Sequence, residues 1–98
     1  MLNHQKLNCY QMSLRLVKAL ANQMPHWPSG VGYLKDQIRR ASSSIVLNIA
    51  EGAGKLSPQD RRRFYSIARG SLLEVSAGID VANALGLMND ALHADYQA

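Results

Sequence analysis

The sequence predicts an all-α protein: an up-and-down antiparallel four-helix bundle with a shortened fourth helix. Three observations carry that prediction. Aromatic residues make up only 6% of the chain, against a plentiful supply of Ala, Leu, Ser and Gln, a balance that favours helix over sheet. Apolar residues recur at spacings of three and four over long stretches. Pro25, Pro28 and Pro58, with Gly52, Gly54 and Gly86, stand at the edges of those stretches.

The first helix is expected from about Asn3 to Met24. Leu7, Tyr10, Leu14, Val17, Ala21 and Met24 form one stripe, and Met12, Leu16 and Leu20 lie on the other side. Apolar residues on two sides imply cover on two sides, the second from another subunit. Pro25 and Pro28 end the helix, and MPHWPSGVG connects it to the next, with Trp27 plugging a bundle end.

The second helix is expected from Val31 to Glu51, buried through Leu34, Ile38, Ala41, Ile45 and Ile49, with Gly52 and Gly54 as its stop. The third has the clearest start. Ser57 is an N-cap residue, Pro58 takes the first helical position and Asp60 the third of a capping-box-like pattern. Its core stripe reads Phe64, Ile67, Ala68, Ser71, Leu72, Val75, Ile79, Ala82 and Leu85 over about six turns, and Gly86 ends it. Gly70, Ser71, Ala77 and Gly78 are small enough for close helix approach. The fourth helix begins near Asn89, with Leu92 and Tyr96 inward. Three long helices and a stub make an incomplete bundle: its missing wall comes from a neighbouring subunit, or the chain ends earlier than its fold expects.

Ninety-eight residues suit a single domain. A lone cysteine, Cys9, forbids an internal disulfide. No leader or long apolar run appears, so the expected place is the cytoplasm, away from membranes. Net charge is +4, but its distribution is uneven: residues 35–69 hold eight Lys/Arg against three acids, and residues 70–98 hold four acids and no Lys or Arg. That pattern points to an anionic partner for the middle of the chain, or to head-to-tail contact between copies.

The stretch QIRRASSSIVLNIAEG, residues 37–52, holds the most polarity inside a core helix. At about 100° per residue, Gln37, Arg40, Ser44, Asn48 and Glu51 form a polar stripe bordering the apolar one. We expect them to form a structural seam with Glu74 or Arg63, between the second and third helices or between subunits. A half-buried charge there requires its partner, and its use is to fix register.

Catalytic readings of these residues are weak. Glu51 and Glu74 as a carboxylate pair, with Ser42–Ser44 as nucleophile, lack a nearby His and a Gly-flanked elbow. GAGK at 52–55 follows a helix and lacks phosphate-loop spacing. His4, His26 and His93 have no metal-binding spacing. The expectation is no enzymatic activity, no metal and no cofactor.

Arg61, Arg62 and Arg63 stand at the start of the third helix, where cations are mildly unfavourable, so helix stability does not account for them. With Lys55 upstream and Arg39 and Arg69 nearby, they make a candidate phosphate-binding surface, giving salt-dependent and largely sequence-independent affinity. With Phe64 taken as core, Tyr65 is the aromatic residue left beside the run for stacking, so base-specific readout is not indicated.

The segment QIRRASSSIVLNIAEGAGKLSPQDRRRFYSIARGSLLEV closely resembles the signature of the four-helix-bundle family named for the 23S ribosomal RNA intervening-sequence protein. Its Q-[IL]-R-R-A-x-x-S-I-x-x-N-I-A-E-G block falls on Gln37–Gly52, and A-x-G-S-L-x-E on Ala68–Glu74. The resemblance implies a small all-α bundle that often assembles as a ring of five, with no enzymatic activity attached. It also implies likeness in fold to the accessory protein of diversity-generating retroelements, a basic pentameric barrel engaging a reverse transcriptase and nucleic acid. By the same resemblance Arg39, Arg40, Asn48, Glu51 and Glu74 are the family's polar core. The sequence departs from the pattern in its short fourth helix, and in Val46 and Leu47 where Pro is often found. The function expected is a homo-oligomer binding RNA or DNA through a basic surface. The alternative is an interaction scaffold or accessory subunit for a nucleic-acid-processing protein, without direct nucleic-acid contact.

Overall fold

A computed structural model describes residues 3–88. It contains three α-helices, α1 (His4–Gln23), α2 (Gly32–Ala53) and α3 (Pro58–Ala84), with two single 3₁₀ turns, Met24–His26 and Ser29–Val31, between the first two. No strand occurs among the described residues. The expected fourth helix, with Leu92 and Tyr96, lies outside them.

Each helix boundary has a local cause. The Asn3 side chain accepts from the Lys6 amide at 2.8 Å and opens α1. Pro25 tightens its end into a 3₁₀ turn, which turns Trp27 inward to plug the end of the bundle, 4% exposed. Ser57 Oγ accepts from the Asp60 amide at 3.0 Å, with Pro58 in the first helical position and the Asp60 carboxylate in the first turn, as the sequence predicts for α3. At the other end Gly86 adopts φ 77°. The Leu87 amide then reaches Ala82 O at 2.9 Å, and the Gly86 amide reaches Asn83 O at 3.0 Å. This paired bonding closes the helix with a left-handed residue that only glycine adopts freely. Gln23 Nε2 donates to Leu87 O at 3.2 Å, tying the turn to the end of α1.

α2 is the central rod, and α1 and α3 pack against it far more than against each other. The α2 stripe is as predicted: Leu34, Ile38, Ala41, Ile45 and Ile49 are all buried. The first α1 stripe is buried only in part, at Met24, with Tyr10 packed against the core. Leu16, Leu20 and Ser13 are buried, and Leu7, Leu14 and Ala21 are exposed. Both sides of α1 are apolar, and the roll that seats Met24 and Trp27 in the core also turns Leu16 and Leu20 onto α2. Along α3, Ala68, Val75, Ile79 and Ala82 are buried, whereas Ile67, Leu72 and Leu85 are 43%, 48% and 51% exposed. These three lie off the flank that meets α2. α3 runs for 27 residues from Pro58 to Ala84, with the start and the glycine stop that the sequence predicts.

Two glycines set the α2–α3 distance, one on each helix. A Cβ on Gly78 would come within 2.8 Å of Ile38 Cγ1, and one on Gly52 within 2.6 Å of the Tyr65 ring. Gly52 is therefore a packing residue inside α2, not its stop; Gly54 occupies the C-cap, its amide bonded to Ala50 O and Glu51 O. Gly70, expected at a close approach, is exposed with nothing near it, and Ala77 is exposed too.

Because α1 and α3 flank α2, a groove of about 480 Å³ runs between them. Ile45, Ile49 and Ala68 floor it, and Met12, Leu16 and Leu72 wall it.

Candidate functional site

The α2–α3 loop brings most of the predicted cations to one end of the molecule. α2 ends at Ala53 and α3 begins at Pro58, so the first turns of α3 start beside the last turn of α2, where Gly52 admits the Tyr65 ring.

The three arginines take different jobs there. Arg61 Nη1 donates to Lys55 O at 3.1 Å and to Leu56 O at 2.9 Å, so its guanidinium clamps the loop. Arg63 lies over the Phe64 ring, 4.6 Å from its centre, and Lys55 Nζ over the same ring at 5.1 Å. Lys55 Nζ also sits 3.6 Å from Glu51 Oε2, with both side chains well exposed. Exposed pairs of this kind are weak, so Lys55 stays open to a competing anion. Arg62 is exposed and makes no hydrogen bond or ion pair among the described residues. The same holds for Arg69, which stands on the rim of the groove. Arg39 does not join this end. It pairs with Asp36 at 3.3 Å, and its position in α2 places it about 20 Å back along the helix axis.

Lys6 has no signal in the sequence as a member of this cluster. It comes from α1 and places its Nζ 4.2 Å from the centre of the Tyr65 ring. Only the packing of α1 beside α3 reveals the pairing, because the two residues are far apart along the chain.

The polar stripe of α2 divides. Asn48 Nδ2 donates to Ser44 O at 2.8 Å and to Ser44 Oγ at 3.0 Å. Ser71 Oγ of α3 donates to Ser44 Oγ at 2.9 Å. Within the chain, the α2–α3 seam is thus closed by Ser44, Asn48 and Ser71 and not by charges. Glu51 is exposed and turns to Lys55 instead of Arg63. Gln37, Arg40 and Glu74 are exposed. Their side of the stripe faces outward beside Leu47, which is 64% exposed. The rotation that brings Ser44 to Ser71 carries Arg40 to the outer rim.

Glu51 lies beside Gly52 and hence level with Tyr65, so Glu74 stands about 14 Å further along α3. Two carboxylates so far apart do not share a proton or flank one scissile bond. No helix among the described residues is long and apolar enough to cross a membrane.

No curated protein matches the chain. The family model described as 23S rRNA-intervening sequence protein matches residues 5–98. A match over nearly the whole chain agrees with the Gln37–Gly52 block and the all-helical architecture, and the chain belongs to the 23S rRNA-intervening sequence protein family.

Proposed function

We propose that this chain is a non-enzymatic, homo-oligomeric helical protein of the cytoplasm that binds RNA or other nucleic acid through the basic end formed by α3 and the α2–α3 loop. The observation that carries the reading is that Arg62 and Arg69 stand exposed and unpaired among the described residues, in a region where Lys55, Arg63 and Lys6 also gather and where Glu51 and Asp60 are the nearby acids. A cationic surface of this kind binds phosphate by releasing counterions, so its affinity falls steeply with salt.

A mobility-shift titration of RNA against salt tests the proposal. Binding is expected at low salt, and replacing Arg62 and Arg69 by Ala is expected to lower the salt slope by about 1 for each residue. Absence of binding at low salt, or binding indifferent both to salt and to these replacements, overturns it.

Self-association draws support from a second surface. Leu47 on α2 and Ile67 and Val81 on α3 are exposed apolar residues on the outer α2–α3 face, beside the exposed charges of Arg40 and Glu74. Arg40 and Glu74 then form the polar seam between subunits, in a closed ring such as a pentamer. The same face favours the alternative reading, an interaction scaffold or accessory subunit for a nucleic-acid-processing protein such as a reverse transcriptase. In that reading the basic middle meets an acidic segment, and neutralising Asp80, Asp90 and Asp95 disturbs assembly as much as neutralising the arginines does.

A further inference from the structure

Resting on the nucleic-acid reading above, we propose that the lower groove between α1 and α3 is a single-strand site, in which Tyr65 stacks an unpaired base while Lys6, Arg62 and Arg69 hold the flanking phosphates.

The placement of four side chains argues for this. Arg62, Tyr65 and Arg69 are spaced by three and four residues, which puts them in a line on one face of α3. The line spans about 10 Å of helix axis. Lys6 reaches the same ring from the opposite wall, 4.2 Å from its centre. Lys6, Tyr65 and Arg69 all line the groove, with Ile49, Met12 and Leu72 making its interior apolar. The result is cations alternating with an aromatic ring at the mouth of an apolar slot. The other aromatic near the loop, Phe64, already lies under Lys55 and Arg63 and does not line the slot.

Duplex nucleic acid does not use such a slot. Its bases are stacked on one another and present only edges, so an aromatic ring gains nothing from a paired base. A single strand offers a bare base face for every nucleotide, and stacking on tyrosine is indifferent to which base it is. The lysine already seated over Tyr65 is a cation the ring holds weakly when exposed. It moves aside to a phosphate when a base takes its place. The chemistry therefore selects unpaired over paired strands without reading sequence.

The test compares fluorescently labelled oligouridylate with an RNA duplex of equal length, by anisotropy, using the full chain. The single strand is expected to bind several-fold more tightly. Tyr65→Leu, which keeps apolar bulk against Gly52, is expected to weaken the single strand about tenfold and leave the duplex unchanged. Tyr65→Phe is expected to retain the wild-type preference. The logarithm of single-strand affinity is expected to fall with that of salt at a slope of about −2 for three phosphate contacts. A second readout needs no variant: photocrosslinking of oligouridylate carrying 5-iodouridine is expected to label Tyr65. Equal affinity for both strands with Tyr65→Leu silent, or crosslinks confined to other residues, overturns this inference while the nucleic-acid reading stands. Failure of both RNAs to bind at low salt overturns both.

Discussion

Arg61 and Arg62 are adjacent identical residues with opposite assignments. Arg61 gives two charge-assisted hydrogen bonds to loop carbonyls, each worth more than a neutral one. Arg61→Ala is therefore expected to destabilise the fold by about 1–3 kcal/mol, read as a shift of the urea midpoint at constant slope. Arg62→Ala is expected to leave the midpoint within about 0.5 kcal/mol, as for a surface change away from any partner. At this scale the sequence offered three equivalent cations at a helix start. Their non-equivalence comes from where the Lys55 and Leu56 carbonyls point, which loop geometry decides and composition does not. The same holds for the seam. Ser44 and Asn48 were legible as bordering the core, but Ser71 was read as plain core, and its bond to Ser44 Oγ depends on the roll of α3. Ser71→Ala, which removes the hydroxyl that donates to Ser44 Oγ and leaves the Asn48 bonds to Ser44 in place, is expected to cost about 1 kcal/mol in the same assay.

Among the elements, the contact between α2 and α3 rests on two residues without side chains. Gly78→Ala drives a methyl group into Ile38, whose Cγ1 is near the backbone and has little freedom to retreat. The expected loss is about 1–3 kcal/mol. Gly70→Ala is the matched control: it meets open space on the same helix, so the gain in helix propensity is expected to stabilise by up to about 1 kcal/mol. Thermal unfolding followed by circular dichroism separates the two. The sequence grouped Gly70 and Gly78 together because both are small and flank the apolar stripe. Their spacing differs by two turns and a fraction, and that fraction decides which one faces α2. Helix α2 was read correctly for a related reason: it has a single unbroken apolar stripe, so only one roll buries it. Helix α1 has two such stripes, and the choice between them was fixed by the Pro25–Pro28 connection and its buried Trp27, a tertiary constraint that periodicity does not contain.

For the whole molecule, the arrangement is an elongated one, 44 × 23 × 18 Å, with α2 packed against both other helices and large apolar side chains left outside. Leu47, Leu73 and Leu56 are each more than 60% exposed. If the outer α2–α3 face joins copies, Leu47→Asp and Val81→Asp together are expected to reduce the mass seen by light scattering toward that of one chain while helical content holds. For the unaltered protein, the unfolding midpoint is expected to rise with protein concentration, as mass action requires of an associating fold. The presence of three amphipathic helices, their order and the caps at their ends were legible in the sequence. The exposed face was legible only as surplus apolar residues on two sides of a helix, because which surplus becomes surface depends on where neighbouring helices stop.

The indole of Trp27 sits sealed at the end of the bundle remote from the α2–α3 loop and its cations, its Nε1 without a hydrogen-bond partner among the described residues. Roughly 27 Å of α1 lies between Lys6 at one end and Met24, its neighbour, at the other. As the chain's sole tryptophan, it supplies an intrinsic optical gauge of whether the far end is intact, one that ligands arriving beside Tyr65 do not touch. Emission excited selectively at the indole therefore distinguishes a variant that has lost its grip from one that has come apart, in the same cuvette and without a label.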